Sequence, residues 1–406
     1  MKICLSLSLL VLAISGFSQA HETNSFYLKE ALVHHVKPEN PSGEFPVIMV
    51  PGHNLSSYIY LTTPDGRPGW AQLFADQGYE VYVINDPKFD FSRGFSVEGF
   101  TDVPEEGRPA ANPDAQQAWG QDIWRRWGFG DSEGSPYPDA RFPTDSFDEF
   151  KANYPWLSSG ASESFASAIT ALLNEAGPSI LVAHSAGGPQ AVSAALAHPE
   201  LTAGIVLVEP TGPPTEDDFP TLNGVTMLGV YGDYIDSRRQ GSRKTATTEA
   251  AALFEANGGS GKIIDLPEDY SITGNSHLMM QGDNNDFIAD LILEWVDQKA
   301  AVPGDPSPGR KGGGGSKGGM SGKGGKGGKG GKGGMMNQIL SQLDADEDGF
   351  LSEDEFKKGR RYRNADTKTV QEAFAKADAN SDGKVSAEEL ASGFAGGGKG
   401  GKGRGR

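Results

Sequence analysis

The sequence contains a single cysteine, Cys4, among its 406 residues. Cys4 lies in a short apolar stretch near the amino terminus that we expect to be removed. The remaining chain would then have no disulfide, no thiolate nucleophile and no metal site with cysteine ligands. Its stability must come from a hydrophobic core, and a chain of this length can bury one of sufficient size.

Long apolar runs are also scarce. The longest covers residues 3–15, follows the basic Lys2, and is short for a membrane span. Ser18 and Ala20 place small side chains before a cleavage point. This pattern is typical of a signal peptide at residues 1–20 and predicts a secreted or periplasmic protein without a membrane span.

Positive charge is scarce outside two glycine-rich segments. The net charge is −18, but 11 of the 36 basic residues lie in 306–336 and 396–406, which contain no acidic residue. The rest of the chain has 25 basic and 54 acidic residues, a net charge of −29. We therefore expect no specific nucleic-acid binding. The Lys/Gly segments are either plain spacers or contacts to an anionic polysaccharide or the cell surface.

Composition also divides the chain into parts. The two Lys/Gly segments have too few apolar side chains to form a core, so they should be flexible. The predicted parts are a signal peptide at 1–20, a large domain at 21–300, a Gly/Lys-rich linker at 301–336, a small module at 337–394 and a basic tail at 395–406.

Short, β-branched apolar runs alternate with helical patterns in the large domain. The predicted strands are 46–52, 79–85, 179–185, 204–210, 225–233 and 261–267. The predicted helices are 70–77, 161–176, 187–198, 245–257 and 284–298. Nearly continuous apolar strands are typical of a parallel sheet covered on both faces, so we expect an α/β fold. Residues 26–36 should add antiparallel edge strands.

One insertion interrupts this alternation after the fourth strand. Residues 87–160 are rich in Gly, Pro, Asp and aromatic residues, and four of the six tryptophans lie there: Trp119, Trp124, Trp127 and Trp156. A loop of this length inside a compact domain is usually functional, which predicts a cap over the carboxyl edge of the sheet. Its aromatic residues would line a substrate pocket, form a small core of their own, or do both.

The stretch Ala183-His184-Ser185-Ala186-Gly187 follows an apolar strand and precedes a helix. Small residues around the serine let strand and helix approach closely, and the sharp turn exposes the hydroxyl beside the helix N-terminus. This pattern predicts that Ser185 is a catalytic nucleophile. At neutral pH a serine hydroxyl is a poor nucleophile and needs a base to accept its proton.

Among the seven histidines, only His277 lies in a loop after the last predicted strand, at the edge of the sheet that carries Ser185. We therefore predict that His277 is the base. An acid should orient it, and two carboxylates end intervening strands, Glu209 and Asp233. The order serine, acid, histidine along the chain fits either carboxylate. The amide of Ala186 and one from the loop after Gly52, at His53 or Asn54, would form the oxyanion site.

These motifs, with "VPGH" at 50–53 and "VLVEPTGPP" at 206–214, resemble the α/β-hydrolases and in particular a bacterial esterase-like subgroup. The resemblance covers about residues 24–298. It implies an α/β-hydrolase fold and a glutamate as the acid, which favours Glu209 over Asp233. The sequence departs from the family pattern in three places. Ala183 replaces a glycine, His53-Asn54 stand where some members have vicinal cysteines, and the segment after the fourth strand lacks the Gly-x-Gly-x-Ser motif that is often present there.

Two acidic loops in the small module have the spacing of calcium ligands. Oxygen donors at positions 1, 3, 5, 7, 9 and 12, with glycine at 6, suit a flexible calcium site. The candidate ligands are Asp344, Asp346, Asp348, Phe350, Ser352 and Glu355 in the first loop, and Asp378, Asn380, Asp382, Lys384, Ser386 and Glu389 in the second. Position 8 of each loop, Leu351 or Val385, should pair the loops through a short strand. The module resembles a small all-α EF-hand pair.

Together these features predict a secreted serine hydrolase, a carboxylesterase, that needs no cofactor for catalysis and carries two calcium sites. An amidase, a lactonase or a cofactor-free haloperoxidase would use the same residues. A calcium-dependent binding or matrix protein with an inactive hydrolase domain is a further alternative.

Overall fold

The computed structural model describes two parts of the chain. The first is residues 21–301, apart from 54, 88–123, 153–163 and 258. The second consists of residues 340, 343–346, 348–359, 362, 367–387 and 389–390. The predicted signal peptide at 1–20, residues 302–336 of the predicted linker and the tail at 395–406 lie outside the described residues.

The first part is built on one mixed sheet of eight strands. Its strands are β1 (His21–Leu28), β2 (Ala31–Pro38), β3 (Val47–Val50), β4 (Val81–Ile84), β7 (Ser179–His184), β8 (Thr202–Val208), β9 (Thr226–Tyr231) and β10 (Ser260–Asp265). A separate hairpin contains β5 (Gly130–Ser132) and β6 (Ser135–Pro136). The strand order in the sheet is β1-β2-β4-β3-β7-β8-β9-β10. The pairs β1–β2 and β2–β4 are antiparallel and all others are parallel.

Helices connect the parallel strands and cover the sheet. They are α1 (Tyr58–Leu61), α2 (Trp70–Asp76), α3 (Phe147–Ala152), α4 (Phe165–Ala176), α5 (Gly187–Ala197), α6 (Gly241–Ala256), α7 (Leu266–Tyr270) and α8 (Asn285–Lys299). All six predicted central strands, the antiparallel edge pair and the five predicted helices are present, with ends that differ by a few residues. Within the described residues, none of the helices is both long and apolar enough to cross a bilayer.

Alternation along the central strands explains why both faces of the sheet are covered. In β3, Val47 and Met49 pack in one hydrophobic cluster with Trp70 of α2 and Ile292 of α8. Ile48 and Val50 of the same strand belong to a second cluster, which contains residues of α4, α5 and α6. Successive side chains of a strand point to opposite faces, so a strand that is apolar at every position needs helices on both sides.

The described portion of the insertion, residues 124–152, forms a small aromatic core. Trp124 and Trp127 are 2% and 8% exposed. Both pack edge-on against Phe129, with ring centroids 6.1 Å apart in each case. Phe142 stacks on Phe129, and Phe147 and Phe150 complete the cluster. For these two tryptophans the observed packing is that of a local core; Trp119 and Trp156 lie outside the described residues.

The C-terminal module contains α9 (Glu353–Phe356) and α10 (Thr367–Ala377). Phe356 and Phe374, one from each helix, pack with ring centroids 5.5 Å apart. Leu351 and Val385 form an antiparallel bridge with backbone hydrogen bonds of 2.8 and 2.9 Å. The predicted pairing of the two loops at position 8 is therefore confirmed.

Candidate active site and calcium loops

Ser185 stands at a sharp turn between β7 and α5. Its φ is 51°, in the left-handed region that non-glycine residues rarely adopt. Two backbone hydrogen bonds of 3.0 Å hold this conformation: the Ser185 amide donates to the Val208 carbonyl, and the Thr211 amide donates to the Ser185 carbonyl. The turn places the serine at the carboxyl edge of the sheet, where open α/β sheets bind their ligands.

Close backbone contacts explain the glycines around this turn. A Cβ on Gly187 would lie 2.6 Å from the carbonyl oxygen of Pro51, and one on Gly52 would lie 2.9 Å from the Cβ of Ser185. Cβ atoms do not make contacts that short, so β3, its following loop and α5 can meet in this way only with glycine at these positions. Ala183, which replaces the usual first glycine, is fully buried within β7 and does not interfere.

His277 lies in the loop between α7 and α8 and is 5% exposed. Its amide donates to the Trp127 carbonyl at 2.7 Å, and its carbonyl accepts from Nε2 of His184 at 3.0 Å. The imidazole rings of His184 and His277 are 4.4 Å apart. His277 is thus fixed directly against the residue that precedes Ser185, although His184 itself uses its ring to hold the loop.

Glu209 follows β8 directly and is the carboxylate that meets this imidazole. Oε2 of Glu209 lies 2.6 Å from Nδ1 of His277, and Oε1 accepts from the Gly232 amide at 3.0 Å. Glu209 is 2% exposed and has a φ of 43°, so it occupies a second strained turn beside that of Ser185. Carboxylate and imidazole form a buried pair at the edge of the sheet that carries the serine.

Asp233, the alternative acid, has a different set of partners. Oδ2 accepts from the Gly274 amide at 3.0 Å and Oδ1 from the Tyr234 amide at 2.7 Å. Its own amide donates to the Asn275 carbonyl at 2.8 Å. Within the described residues, Asp233 makes no hydrogen bond to His277. It instead fastens the loop that carries His277 to the end of β9.

A buried arginine that no sequence motif marks binds the same carboxylate. Nη1 of Arg238 donates to Oε2 of Glu209 at 2.6 Å, and Nη2 donates to Oε1 at 2.8 Å and to the Asp233 carbonyl at 2.7 Å. Arg238 lies in the polar turn between β9 and α6, whose composition is typical of a solvated surface. Nothing in the sequence distinguishes it from its neighbour Arg239, which is exposed.

These groups determine each other's protonation. Burial raises the pKa of Glu209, but the charge of Arg238 and the hydrogen bonds from His277 and Arg238 outweigh it and hold this pKa well below its ordinary value. Burial lowers the pKa of His277, and Glu209 offsets only part of that effect. The carboxylate is therefore ionised and the imidazole neutral near pH 7. A neutral imidazole oriented by a carboxylate can accept a proton.

Two backbone segments adjoin Ser185 where an oxyanion would need donors. His53 is half-buried in the turn after β3, where the Leu55 amide donates to the Gly52 carbonyl at 3.1 Å. Ala186 directly precedes α5, and amides of a first helical turn have no partner within the helix. Asn54, the alternative donor, lies outside the described residues.

Within the described residues, no hydrogen bond joins the Ser185 hydroxyl to the His277 imidazole. Bonds between nucleophile and base are often long or poorly aligned before substrate binds. The structure brings together the strained serine turn, the His277–Glu209 pair and the contact between them through His184.

The two acidic loops of the C-terminal module share one hydrogen-bonding pattern. The first carboxylate of each loop, Asp344 or Asp378, accepts from the amides four and five residues further on, at 3.1 and 2.8 Å in both loops. Gly349 and Gly383 have φ values of 85° and 83°, which confirms that glycine at position 6 makes the sharp bend.

The donor set of the first loop fits a hard cation. Carboxylate oxygens of Asp344, Asp346 and Asp348 lie within 4.8 Å of one another. Glu355 closes the loop: its Oε1 accepts from the Ala345 amide at 2.7 Å. In the second loop, Glu389 accepts from the Asn380 amide at 3.2 Å, and Lys384 forms an ion pair with Asp348 of the first loop. Loops of this kind supply the oxygen ligands that calcium prefers.

Comparisons with known proteins found matches for the C-terminal module and for the larger domain. Residues 335–395 match the family described as EF-hand domain pair. A curated relative, "Probable secreted lipase phiG" from Fungal sp. (strain ATCC 74256), is 26% identical over 330 residues, covering 69% of this chain and 87% of the relative. The solved structure of a novel bacterial esterase aligns with a TM-score of 0.56 and 26% identity, covering 69% of this chain and 94% of that chain.

The chain combines an α/β-hydrolase fold with an EF-hand pair. The α/β-hydrolase domain has Ser185 in the strained turn that follows β7. The insertion after β4 interrupts the same domain at the carboxyl edge of the sheet. The EF-hand loops are the two acidic segments 344–355 and 378–389.

Proposed function

We propose that this protein is a secreted serine hydrolase that cleaves carboxylic esters, with Ser185, His277 and Glu209 as its catalytic triad. The observation that carries the proposal is the buried hydrogen bond of 2.6 Å between His277 and Glu209, located beside a serine in a strained strand-to-helix turn. The relatives named as a lipase and an esterase support an ester as the substrate.

In the first half of the reaction, Oγ of Ser185 attacks the ester carbonyl while the His277 imidazole takes the hydroxyl proton. The amides of His53 and Ala186 donate to the oxyanion of the tetrahedral intermediate. Collapse of the intermediate expels the alcohol, which receives the proton from His277. Glu209 stabilises the imidazolium during both transfers, because its low pKa keeps it ionised.

Water then releases the acyl group. His277 takes a proton from the water, the hydroxide attacks the acyl-serine, and the proton returns to Ser185 as the carboxylic acid leaves. The same residues would cleave an amide or a lactone, so the choice among these substrates depends on the pocket and on the leaving group.

Turnover of short p-nitrophenyl esters tests the proposal. We expect Ser185→Ala to lower kcat by at least about 10³-fold. Ser193→Ala is the matched control, because Ser193 is exposed on the helix that follows Ser185, and this variant should retain wild-type activity. Equal activity of wild type and Ser185→Ala would refute the nucleophile. Activity only on amides would refute the ester assignment, and activity only on lactones would restrict it to cyclic esters.

We also propose that both EF-hand loops bind calcium and that the chain is exported. The oxygen donors of the loops support the first point. The apolar segment at 1–20 and the word "secreted" in the name of the relative support the second. Amino-terminal sequencing of the mature protein should begin at His21, and an intact Met1 would contradict cleavage.

A further inference from the structure

Arg238 is a buried cation attached to the proposed triad. Its side chain is 0% exposed and that of Glu209 is 2% exposed, so both charges of this ion pair have left water. Removing charged groups from water is expensive, and such pairs often stabilise a fold no better than apolar residues would. The place of the pair in the active site therefore suggests a role beyond holding the fold together.

The guanidinium binds Glu209 through both carboxylate oxygens at 2.6 and 2.8 Å. A bidentate pair fixes the plane of the carboxylate as well as its position. Oε2, one of these two oxygens, also accepts from Nδ1 of His277. Any rotation of Glu209 that broke the arginine pair would therefore also misplace the imidazole.

The surroundings hold Arg238 in this place. Its Nη2 donates to the Asp233 carbonyl, and its amide donates to the Tyr234 carbonyl at 3.0 Å. The insertion covers the pair: a Cβ on Gly128 would lie 3.1 Å from Cδ of Arg238. Tyr234 is in turn tied to the insertion through its hydroxyl, which donates to Asp139 at 2.6 Å. The arginine can therefore transmit a fixed geometry to Glu209.

We propose that Arg238 is a positioning residue that acts through Glu209, fixing the carboxylate that His277 binds and opposing protonation of the imidazole. The inference rests on the proposed function for its catalytic consequence. The effect of Arg238 on protonation of the His277 imidazole does not depend on the proposed function.

The charged groups around His277 fix the direction of this effect. Burial lowers the pKa of His277, Glu209 raises it, and the positive charges of Arg238 and Arg243 lower it further. The neighbouring His184 is neutral, because burial and the nearby His277 keep its pKa well below 6.5. Without the Arg238 charge, less positive charge would counteract the effect of Glu209 on the imidazole, so the pKa of His277 should rise.

Three variants separate positioning from charge. Arg238→Lys keeps the charge and loses the bidentate geometry, Arg238→Met loses both, and Arg239→Met is the control on the exposed neighbour. We expect Arg238→Lys to lower kcat about 10- to 100-fold with little change in KM, because a misplaced imidazole affects the transition state. Arg238→Met should in addition move the acid limb of kcat/KM to higher pH by about one unit. Arg239→Met should change neither.

NMR titration of the His277 imidazole measures the same effect without turnover. Its midpoint should be higher in Arg238→Met than in wild type and nearly unchanged in Arg238→Lys. If Arg238→Met does not fold, Glu209→Gln/Arg238→Met is compared with Glu209→Gln. Both midpoints should lie below that of wild type, because Glu209 raises the pKa of His277 more than Arg238 lowers it, and the midpoint of the double variant should be the higher of the two. Variants that lose stability while retaining kcat, acid limb and imidazole midpoint would overturn the inference. Failure of the proposed function would appear separately, as full activity of Ser185→Ala.

Discussion

Glu209 and His277 are 68 residues apart in sequence and share a buried hydrogen bond of 2.6 Å. Asp233, which also ends a strand, binds the amides of Gly274 and Tyr234 instead. The two carboxylates therefore have different roles. Glu209 binds the imidazole of His277, and Asp233 anchors the loop that carries His277.

Paired substitutions test this division. Glu209→Gln should lower kcat by about 10³- to 10⁴-fold, because the imidazolium loses its carboxylate. Asp233→Asn should lower it less than about tenfold, because the amide oxygen still accepts one of the two hydrogen bonds. Glu209→Gln also leaves Arg238 buried without a counter-charge, a cost of about 3–5 kcal/mol, so urea unfolding should accompany the kinetics. The reverse order of the two losses would make Asp233 the acid.

The pH dependence of kcat/KM follows from the state of the base. His277 must be neutral to accept the serine proton, and burial lowers its pKa from the ordinary 6.5. The midpoint of the acid limb should therefore lie below pH 6.5, and activity should persist in mildly acidic buffer. A midpoint clearly above 6.5, measured with a substrate that does not ionise, would contradict the assignment of His277 as a base in this environment.

The close contact around the serine turn predicts a steric effect. The Cβ of Gly187→Ala would meet the backbone oxygens of Pro51 and Val50 at 2.6 and 2.7 Å, and backbone cannot move aside as a flexible side chain can. We expect a loss of about 1–3 kcal/mol in unfolding free energy and a lower kcat. Gly241→Ala is the control, since its Cβ would meet only Asp236 Oδ1 at 3.8 Å at the start of α6. That variant should be neutral or slightly stabilised.

Much of the fold could be predicted from local pattern. The central strands are nearly continuous apolar runs, and Ser185 is marked by an apolar strand on one side and small residues on the other. The choice between Glu209 and Asp233 could not be made from the residues alone, because both end strands at the same edge. Only the resemblance favoured Glu209, and only the tertiary contacts show which carboxylate reaches the imidazole.

Arg238 could not be predicted at all. Three arginines lie within six residues, two in a polar turn and one at the start of α6. Burial of Arg238 alone among them depends on the insertion and on the strained turn at Glu209. Similarly, Trp127 contributes its carbonyl, which no side-chain pattern reveals. Groups that act through backbone atoms or through distant packing leave no periodic signal in a sequence.

The EF-hand loops predict separable calcium sites. Glu355→Gln removes one carboxylate of the first loop and should abolish or strongly weaken one of two binding events in calorimetry, and Glu389→Gln should remove the other. Asp354→Asn is the control, because Asp354 is exposed on the same helix as Glu355. Two unchanged binding events in Glu355→Gln would show that the first loop is not a calcium site.

The proposed mechanism requires Ser185 as the nucleophile. The most direct measurement is mass spectrometry of the protein after reaction with a fluorophosphonate. We expect one adduct, on the peptide that contains Ser185, in wild type and in Ser193→Ala, and no adduct in Ser185→Ala. An adduct on any other residue, or undiminished ester turnover by Ser185→Ala, would contradict it.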